Sequence, residues 1–239
     1  MYFIKNNMRF IKKIFKQIFN FYLKNEYRHQ SFKRFNERPV EYAFALRMLS
    51  KFYPKSVLDV GSGTTAFPHL LSNCGMTVTA IDNIKDYWTG GMFNRHFYVL
   101  DDDILNPKKI SRYDMVFCIS TLEHIEDYEK AIINMVNSLN NEGILVLTFP
   151  SSSFEYIHNC YTLPNSSYGK GNPYIAQSFS SEIINSWITK YDLVEIESEF
   201  WKFWTDRYWT CGEQIIPPER SQKNGDFQIR CICLQKRSE

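Results

Sequence analysis

Nothing in this chain of 239 residues approaches the ~18 to 20 consecutive apolar residues that a membrane-spanning helix needs. Its first segment also lacks a signal-peptide pattern: lysines interrupt the apolar residues and no small-residue cleavage site follows, so the expected location is cytoplasmic. The cysteines (74, 118, 160, 211, 231, 233) include no Cys-x-x-Cys pair. Cys118, Cys231 and Cys233 sit inside apolar runs, which points to buried reduced thiols rather than a disulfide framework. Internal repeats and low-complexity tracts are absent. Acidic residues are scarce at the start. Residues 1–39 hold ten Lys and Arg against Glu26 and Glu37, which leaves +8 on the leader and −6 on the rest. A net-acidic body does not point to nucleic acid as a partner.

What is present is a 44% hydrophobic chain, enough for a proper core. Residues 1–38 read as a basic leader and residues 39–239 as one domain. In the leader, Ile11, Ile14, Phe15, Ile18, Phe19 and Tyr22 recur at helical spacing with Lys12, Lys13 and Lys16 between them. This amphipathic helix has two open readings: packing on the domain or in a homodimer, or peripheral contact of residues 1–30 with the inner face of a membrane. A second helix is expected over Pro39–Lys51, with proline suited to its first turn.

From residue 56 onward, strands and helices alternate. Ser56–Val60, Thr77–Ile81, His96–Leu100, Tyr113–Ser120 and Gly143–Phe149 read as strands, and Ala66–Asn73 and Asp127–Leu139 as helices. Ser180 caps a helix to Lys190, and Leu193–Glu197 and Phe227–Leu234 complete seven strands. The pattern predicts an α/β, Rossmann-like, doubly wound, mostly parallel sheet with helices on both faces.

The chemistry begins at Val57-Leu58-Asp59-Val60-Gly61-Ser62-Gly63, where a buried strand enters a glycine turn that lets backbone approach a ligand. The second strand ends in Asp82, placed to accept from both hydroxyls of a ribose. The third leads into Asp101-Asp102-Asp103-Ile104, where an acid can accept from an adenine amine. The fourth ends in Ser120-Thr121-Leu122-Glu123-His124-Ile125, polar groups at the carboxyl edge where open α/β sheets bind ligands.

Taken together and in this order, these segments resemble the class I S-adenosylmethionine-dependent methyltransferase family over roughly residues 38–150. The family's Asp/Glu-x-Gly-x-Gly loop is matched by Asp59, Gly61 and Gly63, and the glycine that often follows is Thr65 here. The resemblance implies S-adenosylmethionine as cofactor, held by Asp59, Gly61, Ser62, Gly63, Asp82, Asp102, Asp103, Ile104, Ser120 and Leu122. No metal is implied, since the Asp101–Asp103 run is accounted for by adenine. A nicotinamide-dependent reductase is the rival, but it gives no reason for Leu122-Glu123-His124.

The position after strand four lacks the Asn/Asp-Pro-Pro-Tyr/Phe segment of enzymes that methylate base amines. The pattern is closer to the branch that methylates small molecules and glycans, commonly at oxygen. His124 is the first candidate base for an acceptor hydroxyl and His158 the second, with Glu123 orienting the base or touching the acceptor. Two aromatic-rich insertions, at about 151–178 and 199–226, are expected to shape the acceptor pocket through Tyr156, Tyr161, Tyr168, Trp204, Arg207 and Trp209. Three readings stay open: O-methylation of a small molecule or sugar precursor, methylation of a lipid or quinone precursor at a membrane, and a cofactor-binding scaffold without turnover.

Overall fold

In the central strands each successive side chain faces the opposite helix layer, and two cores result. The computed structural model describes residues 2–29, 35–88, 90–108 and 111–238. Residues 30–34, including the leader's Lys33 and Arg34, lie outside the described residues. After α1 (Tyr2–His29) and α2 (Arg38–Phe52) the chain runs β1 (Ser56–Val60), α3 (Phe67–Asn73), β2 (Thr77–Asp82), α4 (Ile84–Tyr87), β3 (Leu100–Asp101), β4 (Tyr113–Ile119). It continues through α5 (Tyr128–Asn137), β5 (Leu139–Ser152), β6 (Phe179–Ser180), α6 (Ser181–Lys190), β7 (Leu193–Trp204), β8 (Gln214–Ser221) and β9 (Ile229–Lys236).

The main sheet has the order β3-β2-β1-β4-β5-β9-β7-β8, with β6 paired to β5. The pairs β3-β2, β2-β1, β1-β4 and β4-β5 are parallel, while β9 runs antiparallel to both β5 and β7. Leu58, Val116, Leu145 and Ile232 face a layer built by α5 and α6, where Trp187 is fully buried. Val57, Phe117, Val146 and Cys231 face the other way, onto Phe44 and Met48 of α2 and Phe67 and Leu71 of α3. This alternation is the period of two that a pleated strand imposes. Strand order reverses between β1 and β4, which opens a crevice at their carboxyl ends.

Three sequence expectations change. The third strand shrinks to Leu100–Asp101 because Asn94 Oδ1 accepts from the amides of His96 and Phe97, at 2.8 and 3.1 Å, and holds them in a turn. Among the described residues the strand count is nine rather than seven, because β6 and β8 join the sheet. The expected insertion over 199–226 is largely sheet: β7 continues to Trp204 and β8 pairs with it as the edge strand. The other insertion remains a loop excursion, joined to the 205–213 turn by the bridge Ser166↔Cys211. The Ser180 cap stands as expected, its hydroxyl accepting from Ile183 N at 3.3 Å. All six thiols are free, with Cys74 exposed and the other five buried.

Candidate active site

The loop after β1 is built around a close approach. Gly61 has φ 73° and Gly63 φ 51°, left-handed conformations that favour glycine. A Cβ on Gly61 would also lie 2.1 Å from Thr121 Cγ2. Thr121 donates through Oγ1 to the carbonyls of Gly61 and Ile119, at 3.2 and 3.1 Å, so the loops after β1 and β4 brace each other. Beneath them Asp59 accepts from Ser62 Oγ at 2.6 Å, and burial pushes its carboxyl up to about 7.

Asp82 lies at the end of β2 with both oxygens engaged. Gly63 N donates to Oδ2 at 2.8 Å, and Trp88 Nε1 donates to Oδ1 at 3.0 Å. Burial raises its pKa against those two bonds. Asn94 pins the segment after Trp88 across the glycine loop by donating to Gly63 O and Thr65 O, both at 2.9 Å. Beyond β3, Asp102 accepts from the amides of Asp103 and Lys108, and Asp103 from that of Leu105, which shapes the turn carrying Ile104.

On the β4 side a buried carboxylate positions a cation. Glu41 of α2 is fully buried and accepts from Ser120 Oγ at 2.6 Å, Thr148 Oγ1 at 2.7 Å and Arg38 Nη1 at 2.9 Å. Arg38 also donates to Ile119 O at 3.3 Å, which brings its guanidinium to the carboxyl end of β4.

His124 sits in a short turn of 3-10 helix, Leu122–His124. Its Nδ1 lies 2.6 Å from Ile175 O, and since a carbonyl only accepts, Nδ1 carries the proton and Nε2 remains the acceptor. Burial holds the imidazole below its ordinary pKa, so it is neutral near pH 7. The returning arm of the first insertion fixes this turn. Gln177 N donates to Glu123 O at 2.9 Å and Gln177 Nε2 to Ile125 O at 2.7 Å, which lays Tyr174 on His124 with ring centroids 4.8 Å apart. Glu123 is buried, its pKa is pushed well up by that burial, and its Oε2 has no hydrogen-bond partner among the described residues.

These groups surround a cavity of about 480 Å³ at the β1/β4 switch, within the ~300–1,000 Å³ of small-molecule sites. Of the residues expected to hold the cofactor or act as base, Gly61, Ser62, Gly63, Asp82, Asp102, Asp103, Ile104, Ser120 and His124 line it. Asp59 and Leu122 are buried and do not line it; they support the loops that do. Tyr174, one of the aromatics of the 151–178 insertion expected to shape the acceptor pocket, lines it as well, and so do Arg38, Tyr87 and Trp88, which no sequence pattern singles out.

The expected acceptor residues are mostly elsewhere. Tyr161 and Tyr168 stand behind Tyr174, with Tyr161 centroids 6.1 Å from Tyr174 and 6.0 Å from Tyr168. Tyr156 packs on Phe179 and donates to Gln177 Oε1 at 2.6 Å. His158 is exposed and paired with Glu126 at 2.8 Å. Trp204, the last residue of β7, and Trp209, in the turn that follows, are buried in the core on the α2 side. Arg207 covers the Phe154 ring at 3.8 Å.

A family profile described as "Methyltransferase domain" matches residues 27–203, well over half of the chain. The chain belongs to this methyltransferase family. Among its curated relatives, the ubiquinone biosynthesis O-methyltransferase of Rickettsia canadensis is 26% identical over 119 residues, 46% of this chain and 50% of that protein. The chain thus spans about half the length of that relative. Two solved structures share the fold. The N-methyltransferase NodS of Bradyrhizobium japonicum, in complex with S-adenosyl-L-homocysteine, superposes with a TM-score of 0.51 at 18% identity, covering 84% of this chain and 87% of that one. The 1,6-didemethyltoxoflavin-N1-methyltransferase of Burkholderia thailandensis gives 0.55 at 12% identity, covering 82% and 77%.

The residues of the cavity fit S-adenosylmethionine by charge order. Across the sheet the cavity presents the Arg38 cation beside β4, the Asp82 carboxylate at β2, and Asp102, Asp103 and Ile104 beyond β3. That order matches a carboxylate, a ribose diol and an adenine in turn.

Proposed function

We propose that the chain transfers a methyl group from S-adenosylmethionine to the hydroxyl of a small molecule, a phenolic or quinone-precursor hydroxyl first. When bound, S-adenosylmethionine supplies a methyl carbon already activated by its sulfonium. The protein then has two tasks, to position the acceptor oxygen in line and to take up its proton. Arg38, the glycine loop and Asp82 do the holding, and Tyr174 walls the cavity beside His124. The observation that carries the reading is the His124 tautomer: Nδ1 is committed to Ile175 O, which leaves Nε2 as the acceptor of a neutral ring lining the cavity.

A phenol is the hydroxyl best matched to an imidazole base, since its pKa of about 10 lies far below that of a sugar hydroxyl. The name of the Rickettsia relative supports the same acceptor class. The sugar reading draws on the aromatic faces of Tyr161, Tyr168 and Tyr174 behind the base. The test is a mass-spectrometric screen with S-adenosylmethionine and phenolic, saccharide and lipid acceptors. A product heavier by one methylene unit, alkylated at a phenolic oxygen and lost in His124→Ala, is the expected result. Methylation at nitrogen, or undiminished turnover in that variant, overturns it.

A further inference from the structure

Helix α1 lies outside the catalytic architecture and is sorted by charge around its circumference. At 3.6 residues per turn, Phe10, Ile11, Ile14, Ile18, Phe15 and Phe19 occupy one half of the helix surface. Arg9, Lys12, Lys13, Lys16 and Lys24 occupy the other. The six apolar side chains are 41 to 68% exposed. No acid occurs before Glu26, so the helix from Tyr2 to Asn25 carries cations and no carboxylate.

Three occupants can cover such a face, and the charges choose among them. A second copy would bring two strongly cationic helices side by side, at a Coulombic cost that grows as they close. The apolar arc is also about twice as wide as the narrow seam a helix pair buries. Packing on the acidic body would attract the lysines, yet the lysines lie on the face opposite the one that needs burial. A bilayer interface meets both demands. The apolar half sinks to the acyl boundary while the long cationic side chains reach sideways and up to phosphates. We infer that α1 is a peripheral docking helix for membranes rich in anionic phospholipid, independent of which acceptor the active site takes.

The test is co-sedimentation of the full chain with vesicles of phosphatidylglycerol and phosphatidylcholine, beside vesicles of phosphatidylcholine alone. Binding should require the anionic lipid and fall steeply with added salt, since the lysine contribution is screened. The triple variant Lys12→Gln, Lys13→Gln, Lys16→Gln should lower partitioning by roughly a hundredfold, at about fivefold for each positive charge removed. Phe15→Glu should abolish it, and both variants should still bind S-adenosylhomocysteine, which shows that they fold. Absence of pelleting overturns the inference, as does equal binding to both vesicles. So does a dimer in sedimentation that Phe15→Glu dissolves while vesicle binding is absent.

Discussion

The indole Nε1 of Trp88 donates to Asp82 Oδ1 at 3.0 Å, at the carboxylate the ribose hydroxyls would meet. With Gly63 N on the other oxygen, the carboxylate is oriented before any ligand arrives. Asp82→Ala removes the acceptor for the diol and strands two donors as well. S-adenosylhomocysteine should therefore bind about 1–3 kcal/mol more weakly in calorimetry. The contact also gives a reporter. Of the five tryptophans only Trp88 lines the cavity, so ligand titration should change the emission spectrum and Trp88→Phe should lose that response.

A base that is neutral because it is buried gives a one-sided pH profile. His124 has its pKa lowered by burial, so the catalytic form persists as pH falls through 7 and is lost below the ordinary histidine value of 6.5. Turnover should therefore be level from pH 8 to 7 and fall with a midpoint under 6.5. His124→Ala should lower kcat by roughly 10²–10⁴-fold, remove that limb, and leave S-adenosylhomocysteine affinity unchanged. Steady-state rates across pH for both forms check this.

Local pattern made one half of this site legible. Asp82 ends a β-strand and Gly61, Gly63, Asp103 and His124 each follow one, so reading the strands placed them at one sheet edge. Arg38 escaped because nothing near it in sequence marks it; it is held at the cavity by Ile119 O, 81 residues away, and by Glu41, which bonds to Ser120 and Thr148 across 79 and 107 residues. Trp204 and Trp209 misled for a related reason. An aromatic run has the same composition whether it lines a pocket or fills a core, and only the packing of β7 and of the turn after it decides which. Asn94 undid the third strand through side-chain bonds to backbone, which compete with a ladder and leave the apolar pattern unchanged.

Asp59 links the glycine loop to the pH dependence of stability. Its folded-state pKa of about 7 lies above the ordinary aspartate value of 3.8. The stability it contributes is therefore complete below the unfolded value and is lost as pH rises through about 7. Asp59→Asn keeps an acceptor for Ser62 Oγ but cannot ionise. Thermal melts should show the wild type losing stability relative to Asp59→Asn between pH 4 and 8, with the variant the more stable at pH 8. Parallel curves would show that Asp59 ionises as freely in the fold as outside it.

Gly61 and Gly75 separate backbone strain from close approach. Both have positive φ, 73° and 92°, so alanine at either position pays the left-handed penalty of about 1 kcal/mol or more. At Gly75 nothing lies within 4 Å of the added Cβ, and that penalty is the whole cost. At Gly61 the same atom would sit 2.1 Å from Thr121 Cγ2. Thr121 cannot yield without giving up its bonds to Gly61 O and Ile119 O, so the loops after β1 and β4 must part. Overpacking of this kind adds roughly 1–3 kcal/mol. Gly61→Ala should therefore melt below Gly75→Ala by that margin and fail to bind S-adenosylhomocysteine, while Gly75→Ala binds as the wild type does. Equal melting temperatures and equal affinities would show that the brace between the two loops does not hold the cavity in shape.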